Sequence, residues 1–210
     1  MGGARKPLLE LAGEPILLHA LRPFLADPRV TKVAIAMAAD DVKALPEWLT
    51  GVDDRIVIVE GGDTRGASVA RAIAALPEDV SVIAVHDAAR PLVTRSVIAQ
   101  CIDLAHSGFG AVAGSPAVDT IKRVDGRAFV TGTPDRSTLW QAHTPQVFPA
   151  EELRAAYASG VDTATDDAAL VEAAGGRIRM VDDGGTNLKV TRPVDLVMAE
   201  AILSARDAST

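Results

Sequence analysis

The sequence is poor in cysteine and in aromatic residues, and both shortages limit the kinds of protein it can encode. Its 210 residues include one cysteine, so no disulfide framework can form within the chain. Only 3% of the residues are aromatic, so Ala, Val, Leu and Ile must build the core. Cys101 falls at an apolar-periodic position of a predicted helix, which favours a buried structural thiol over a nucleophile or a metal ligand.

Basic charge and long apolar runs are also scarce. The chain has 21 Lys and Arg against 28 Asp and Glu, a net charge of -7, which argues against nucleic acid or an anionic membrane as the main partner. No run of about 18 apolar residues could span a bilayer, and the first residues lack the apolar region of a signal peptide. We therefore expect a cytoplasmic protein without a membrane partner.

Strand-like and helix-like segments alternate along most of the chain. Short apolar, β-branched runs predict strands at residues 32–37, 56–59, 80–85, 111–113, 178–181 and 188–190. Helical periodicity predicts helices at residues 15–25, 40–49, 68–76, 96–107, 151–158, 166–174 and from 193 to about 205. This alternation predicts an α/β fold with a doubly wound, mainly parallel, Rossmann-like sheet. With no repeat or linker visible, we expect a single domain over residues 1–210.

The alternation breaks between residues 119 and 148. Two short strand-like stretches there flank Asp125-Gly126, a dipeptide typical of a hairpin turn. A polar loop is expected to follow the second stretch. We therefore expect residues 119–148 to leave the sheet as a protruding β-arm.

The clearest functional signal is the polar run that follows the predicted strand at residues 80–85. The run His86-Asp87-Ala88-Ala89-Arg90-Pro91 places an acid and a guanidinium where open α/β sheets bind their ligands. Asp87 suits a hydroxyl group or a metal–phosphate assembly, and Arg90 suits a phosphate. A helix-capping Asp87 and a surface Arg90 before a turn would explain the same residues, and this run alone does not separate the two interpretations.

Further polar residues lie at other predicted strand ends. Gly61-Gly62-Asp63 allows close approach of the backbone to a ligand, and Ser68 lies near a helix start, where amides face an anion. Lys189 lies within a β-branched stretch. Taken singly, each is better explained as a turn, a cap or an edge-strand charge. Together with Asp119-Thr120 and Lys6, and without an acyl-transfer triad or a Cys/His cluster, they indicate a polyphosphate substrate.

These motifs together resemble one known family. From about residue 5 to about residue 205, in order and with similar spacing, the sequence is similar to the 2-C-methyl-D-erythritol 4-phosphate cytidylyltransferases. The motifs His-Asp-Ala-Ala-Arg-Pro and Lys-Val-Thr-Arg-Pro are fairly specific to this family, whereas Lys-Pro and Gly-Glu-Pro occur across nucleotidyltransferases. The matching motifs are Lys6-Pro7, Ala12-Gly13-Glu14-Pro15, Gly61-Gly62-Asp63, His86-Asp87-Ala88-Ala89-Arg90-Pro91, Asp119-Thr120, Thr144-Pro145-Gln146, Thr165-Asp166 and Lys189-Val190-Thr191-Arg192-Pro193.

The resemblance implies a nucleotidyltransferase that joins CTP to a methylerythritol phosphate and releases pyrophosphate, in isoprenoid-precursor synthesis. It implies Mg²⁺ carried mainly by the CTP phosphates, near Asp87, and a homodimer in which Arg136 and Thr144 reach the site from the arm of a second subunit. The implied residues are Lys6, Lys189, Arg136 and Asp87 for catalysis, Gly62, Asp63, Ser68 and Ala88 for the nucleotide, and Arg90, Thr120 and Thr144 for the acceptor substrate.

Histidine is not needed by such a reaction, because the attacking phosphate oxygen is already an anion. The chain has four histidines. We expect His86, at the end of its strand, to be a packed or hydrogen-bonding residue and not a catalytic one.

One part of the family pattern is missing. The family begins with a strand and a glycine-rich loop whose arginine wraps the CTP phosphates, and this chain begins with Met1-Gly2-Gly3-Ala4-Arg5-Lys6, which resembles only the end of that loop. Without the strand, two inner strands of the sheet would lack a hydrogen-bonding partner. We expect Met1 to be an internal methionine and the natural chain to carry roughly 15–25 further residues of this type.

Two other functions remain open at this point. A cytidylyltransferase for ribitol phosphate or another polyol phosphate would keep the same acid and cations and differ in the acceptor pocket. A non-catalytic protein that binds a nucleotide or a phosphate would bind without turnover. A dinucleotide oxidoreductase is disfavoured, because its strand-to-helix glycine fingerprint is absent.

Overall fold

Strands and helices alternate in the computed structural model, which describes residues 8–160 and 166–208. The strands are β1 (Glu10–Leu11), β2 (Glu14–Pro15), β3 (Val33–Met37), β4 (Ile56–Glu60), β5 (Val82–Val85), β6 (Gly110–Pro116), β7 (Arg123–Val124), β8 (Val130–Gly132), β9 (Trp140–Pro149) and β10 (Ile178–Asp182). The helices are α1 (Ile16–Leu25), α2 (Ala39–Lys43), α3 (Arg65–Ala74), α4 (Arg95–His106), α5 (Ala150–Ala158), α6 (Asp167–Ala173) and α7 (Pro193–Asp207), with short 3-10 helices at Glu47–Leu49 and Arg136–Thr138. Within the described ranges, no helix is long and apolar enough to cross a membrane.

The largest sheet has four strands in the order β10-β6-β9-β5. β10 and β6 are parallel, whereas β9 is antiparallel to both of its neighbours, β6 and β5. Three of the four strands therefore run in one direction and β9 opposes them. The fold is mixed α/β, and the expectation of a mainly parallel sheet is correct only for the pairs β6–β10 and β3–β4.

Helices cover both faces of this sheet because its side chains alternate in direction. On one face, Ala111 and Ala113 of β6 pack with buried residues of α4. On the other face, Val112 packs with α5 and α6. Cys101 of α4 is fully buried in the first of these layers, and burial raises the pKa of its thiol to about 12. The prediction of a buried structural thiol is confirmed.

The strand β9 is missing from the sequence-based assignment, which placed a polar loop there within the predicted insert 119–148. Its sequence includes Pro145 and Pro149 together with His143 and Gln146, a composition that argues against a central strand. Pairing with two neighbours buries residues 144–148 nonetheless. Only the part of the insert that contains the antiparallel hairpin β7–β8 is exposed throughout, apart from half-buried Gly132.

β3 and β4 form a separate parallel pair, and a cavity of about 720 Å³ lies between β3 and β5. The cavity is lined by both strands and by side chains of α1, α3 and α4. It lies between two strand edges, where a further strand would pair. The expectation that such a strand precedes residue 1 stays a prediction.

The backbone N–H groups along this cavity give its edges a testable property. Val33 donates its N–H to the segment before β4, so the alternation along a strand directs the N–H groups of Ala34 and Ala36 away from β4 and into the cavity. By the same alternation, the pairing of β5 with β9 directs the N–H groups of Val82 and Ala84 into the cavity.

We expect these four amides to exchange with solvent faster than the amides of β6, which is paired on both sides. Hydrogen exchange followed by NMR, residue by residue, measures this directly. Equal protection in β3, β5 and β6 would show that another segment or molecule pairs with the cavity edges.

Candidate active site

Three cationic side chains surround the carboxylate of Asp87, which lies in the turn directly after β5. The Lys189 ammonium is 2.7 Å from Asp87 Oδ2. The Arg65 Nε lies 3.3 Å from Oδ1, and the Arg90 Nε lies 3.7 Å from Oδ2. Asp87, Arg90 and Lys189, which the sequence analysis selected separately, thus lie close to one another.

The balance of burial and charge keeps Asp87 ionised. Burial raises the pKa of its carboxyl group, but the hydrogen bond and charge of Lys189, with the charges of Arg65 and Arg90, outweigh burial and leave the pKa below its usual value. The side chain of Asp87 is 15% exposed, whereas that of Lys189 is 42% exposed. Arg65 is 40% exposed and Arg90 is buried, so two of the three cations are open to solvent beside a carboxylate that is not. Such exposed cations suit phosphate groups.

Lys189 reaches Asp87 because the segment before α7 lies along the turn after β5. The Val190 N–H donates to the carbonyl of Ala89 at 2.8 Å, and Arg90 Nη1 donates to the carbonyl of Asn187 at 2.8 Å. The strand predicted at residues 188–190 is wrong, since these residues have no regular secondary structure. Their partner is a turn and not a strand, so no ladder of hydrogen bonds forms.

The side chain of Thr144, in β9, holds the same turn by hydrogen bonds. Its hydroxyl oxygen accepts the Asp87 backbone N–H at 2.9 Å and lies 3.0 Å from His86 Nδ1. His86 Nε2 lies 3.0 Å from the carbonyl of Arg90, which can only accept, so Nε2 carries the proton and Nδ1 accepts from Thr144. His86 thus has a hydrogen-bonding role, as the sequence suggested. Thr144 lies in β9 beside Asp87 of its own chain, not on the protruding arm.

The loop between β4 and α3 has a tightly determined backbone. A Cβ on Gly62 would lie 2.5 Å from the Cβ of Ala67, so no larger residue fits there without a shift. The Gly62 N–H donates to Ser68 Oγ at 3.0 Å, and Thr64 caps α3 by accepting from the Ala67 N–H. Asp63 is exposed at the tip of this loop. The loop leads directly into Arg65, the first residue of α3.

In the described part of the chain, the ion pairs of this cluster do not involve the other predicted residues, Ala88, Thr120 and Arg136. Ala88 is half-buried in the turn after Asp87. Thr120 is exposed, and Arg136 is exposed with its Nη1 donating to the carbonyl of Val118 within the arm. Lys6 lies outside the residues that the structure describes.

Sequence reasoning missed two members of the cluster, Arg65 and Asp167. Arg65 Nη2 donates to Asp167 Oδ2 at 2.8 Å. Arg65 follows the glycine turn and opens a helix, a position that could have drawn attention to it. Asp167 is about 100 residues further along the chain, and no spacing rule connects the two.

Among the residues that the structure describes, the site offers few of the ligands that a resident metal ion needs. Residues 8–160 and 166–208 contain no group of three or more His, Cys, Asp or Glu placed to hold one. The carboxylate of Asp87 is a ligand type that Mg²⁺ prefers, and Mg²⁺ commonly takes one or two carboxylates together with substrate phosphates. The site therefore fits an ion that arrives with a phosphate ligand better than a resident ion.

The buried His86 should make stability depend on pH. Burial lowers its pKa to about 4, whereas an unfolded His titrates near 6.5. The contribution of neutral His86 to the free energy of unfolding is fully present above about pH 6.5 and falls towards pH 4, because in that range His86 binds a proton mainly in the unfolded chain. The loss should be about 3 kcal/mol.

Urea unfolding between pH 7 and pH 4 measures this loss. The His86→Gln variant should show a correspondingly weaker pH dependence of the unfolding free energy, and His106→Gln, at an exposed position at the end of α4, should retain the dependence. A His86→Gln variant with the same pH dependence as the unaltered protein would contradict a neutral buried His86.

Comparison with known proteins identifies the family of this chain. The sequence matches the profile of the family "IspD: 2-C-methyl-D-erythritol 4-phosphate cytidylyltransferase" over residues 1–205. It is 39% identical over 210 residues to the enzyme of that name from Prochlorococcus marinus, covering 98% of this chain and 93% of the relative. It is 40% identical over 210 residues to the one from Acidobacterium capsulatum, covering 96% and 88%.

A solved structure agrees. The crystal structure of 2-C-methyl-D-erythritol 4-phosphate cytidylyltransferase from Thermus thermophilus superposes with a TM-score of 0.80 and 34% identity, covering 95% of this chain and 94% of that one. The profile, the relatives and the fold all point the same way: the chain belongs to the 2-C-methyl-D-erythritol 4-phosphate cytidylyltransferase family.

Proposed function

We propose that this protein joins CTP to 2-C-methyl-D-erythritol 4-phosphate, giving 4-diphosphocytidyl-2-C-methyl-D-erythritol and pyrophosphate, in the non-mevalonate isoprenoid pathway. The observation that carries the proposal is the cluster of Lys189, Arg90 and Arg65 around Asp87, in a chain that belongs to this family. The cluster offers the cations that two phosphate-bearing substrates require. Beside it, the loop at residues 61–64 lets a ligand approach the backbone closely.

The nucleotide is proposed to lie along the loop between β4 and α3. The turn at Gly62 lets a ligand approach the backbone closely, Ser68 lies in the first turns of α3 beside it, and the exposed Asp63 can accept from a ribose hydroxyl or a base amino group. Ala88 would lie against the same ligand, since its small side chain leaves room beside the turn. Lys6 is proposed to bind the CTP phosphates.

The acceptor phosphate is proposed to bind at Arg90, Thr120 and Lys189. One of its oxygens attacks the α-phosphorus of CTP in line, the bond to the pyrophosphate oxygen breaks, and pyrophosphate leaves. Negative charge grows on the equatorial oxygens during this step, and Lys189 stabilises it there. The nucleophile is already an anion, so the step needs neither a general base nor a covalent enzyme intermediate.

Thr144 is proposed to act through Asp87 as well as through the acceptor. Its oxygen accepts from the Asp87 N–H and its proton is donated to His86, so the hydroxyl holds the turn in place. Asp87 in turn holds Lys189 at 2.7 Å. Mg²⁺, when bound with CTP, would neutralise charge on the triphosphate, with Asp87 as the protein carboxylate suited to it.

Replacing Lys189 tests the catalytic proposal. Lys189→Ala should lower the rate of pyrophosphate release from CTP, Mg²⁺ and 2-C-methyl-D-erythritol 4-phosphate by roughly 100- to 1000-fold, because a cation at the transition state is lost. The thermal midpoint should change little, since the side chain is 42% exposed.

The matched control is Lys43→Ala, at an exposed position at the end of α2, which should leave the rate unchanged. Equal rates for Lys189→Ala and the unaltered protein would remove Lys189 from the site. Turnover with ribitol 5-phosphate in preference to the methylerythritol phosphate would replace the proposed acceptor by another polyol phosphate.

A homodimer with shared active sites is proposed from the surface of the arm. Phe129 and Val130 of the arm are 68% and 60% exposed, and Val118, directly before the arm, is 74% exposed, which is unusual for several large apolar side chains in one region of the surface. A second copy of the chain would cover them. In that arrangement Arg136 would complete the site of the neighbouring subunit.

Mixing two inactive variants tests the shared site. Arg136→Ala and Lys189→Ala should each be nearly inactive alone. After the two are mixed and allowed to exchange subunits, half of the dimers contain one of each, and one of the two sites in such a dimer has both residues intact. Activity should therefore return to about a quarter of that of the unaltered protein.

Two outcomes would contradict this arrangement. If Arg136 served the site of its own subunit, no mixed dimer would have an intact site, and mixing would restore nothing. If Arg136→Ala were fully active alone, Arg136 would have no part in the reaction.

A further inference from the structure

Arg65 joins two parts of the site that the chain builds separately. It begins α3, directly after the loop at residues 61–64, and its Nε lies 3.3 Å from the carboxylate of Asp87, in the turn after β5. Its Nη2 donates in another direction, to Asp167 at 2.8 Å. One guanidinium thus bridges two carboxylates, and it connects the proposed nucleotide loop with the proposed acceptor turn.

Asp167 is a rigid anchor for this bridge. Its side chain is fully buried, and it also accepts a hydrogen bond from the hydroxyl of Tyr157. Burial raises the pKa of Tyr157, and the bond to Asp167 raises it further, so the hydroxyl remains a donor. A buried carboxylate is costly unless it is paired, which makes the contact with Arg65 hard to give up.

The start of α6 is itself fixed to β9, which limits how far Asp167 can move. Gln146 Nε2 donates to Asp166 at 2.9 Å, and Gln146 Oε1 accepts the N–H of Ala168 at 2.9 Å. Asp166 also caps the helix by accepting from the N–H of Ala169. The carboxylate that holds Arg65 is therefore positioned by the same strand that carries Thr144.

We propose that Asp167 and Arg65 act together as positioning residues, with Asp167 fixing the Arg65 guanidinium and Arg65 fixing the carboxylate of Asp87 opposite Lys189. This inference rests on the proposed function. It identifies Asp167 and Arg65 as the residues that align the proposed nucleotide loop with the proposed acceptor turn. Arg65 is 40% exposed, so without Asp167 its long side chain would sample other rotamers. Asp87 would then lose one of its three cationic neighbours.

The first experiment compares Asp167→Asn, Arg65→Gln and the double variant in steady-state kinetics with both substrates. Each single variant should lower kcat by about 10- to 100-fold while KM for CTP and for the acceptor changes by less than about threefold. The double variant should be no worse than the poorer single variant, because the two residues act as one unit. A kcat of the double variant that is lowered by the product of the two single losses would overturn the proposal.

Two further variants separate positioning from charge and from folding. Arg65→Lys keeps the charge but cannot bridge two carboxylates with a planar fork, so it should be as impaired as Arg65→Gln. Full activity of Arg65→Lys would overturn the proposal. Arg29→Gln is the matched control, because Arg29 also bridges two aspartates, Asp27 at 2.7 Å and Asp103 at 2.6 Å, and it should leave kcat unchanged.

A measurement without turnover keeps this inference distinct from the proposed function. In the unaltered protein and in Asp167→Asn, NMR of the arginine side-chain nitrogens measures how fast the guanidinium group of Arg65 rotates. The contacts of Arg65 with Asp167 and Asp87 should keep this rotation slow, and Asp167→Asn should make it faster, while the rotation of Arg29 should stay the same. Equal rotation rates of Arg65 in the two proteins would overturn the positioning role even if the enzyme were active, whereas a faster rotation in a protein without turnover would contradict only the proposed function.

Discussion

The site depends on keeping a carboxylate charged where it is only partly hydrated. Burial alone would favour the neutral form of Asp87, and the cations supplied by Lys189, Arg65 and Arg90 reverse that preference. Each cation comes from a different part of the chain: the segment before α7, the start of α3 and the turn itself. The electrostatic requirement of one side chain therefore fixes the relative position of three segments.

β9 provides the framework for this arrangement. It lies between β5 and β6, and from that place Thr144 holds the backbone of Asp87 while Gln146 holds the start of α6. Neutral hydrogen bonds thus position the backbone, and ion pairs position the side chains. The division is physically reasonable, because a hydrogen bond is directional, whereas an ion pair tolerates more variation in angle and distance.

Much of this architecture could be predicted from the sequence, and the exceptions have identifiable causes. Most helices and the strands β3, β4, β5, β6 and β10 follow from periodicity, and the run after β5 pointed to Asp87 and Arg90. The helix predicted at residues 40–49 is wrong in extent, since α2 ends at Lys43 and only a short 3-10 helix, Glu47–Leu49, follows it after Pro46. β9 could not be predicted, because its prolines and polar residues contradict the usual pattern of a central strand, and only its neighbours in the sheet explain it. The segment around Lys189 looked like a strand because it is β-branched, yet its partner is a turn.

Contacts between residues distant in sequence were the other limit. Local patterns were enough to select Asp87 and Lys189 separately, but the bridge from Arg65 to Asp167 spans 102 positions and has no local signal. Thr144 was selected through the family resemblance, and its place beside Asp87 of the same chain depends on the register of β9 with β5. Such register is decided by packing across the whole sheet.

The gap between β3 and β5 has a mechanical consequence. Neighbouring strands in a continuous sheet are held about 4.8 Å apart by their hydrogen bonds, and such a spacing resists stretching. In the described part of the chain, the β3–β4 pair and the four-stranded sheet share no such ladder, and helix packing and side-chain contacts join them. In that part of the chain, the spacing between the loop after β4 and the turn after β5 depends on side-chain contacts in place of a ladder, and the guanidinium of Arg65 supplies one of these contacts.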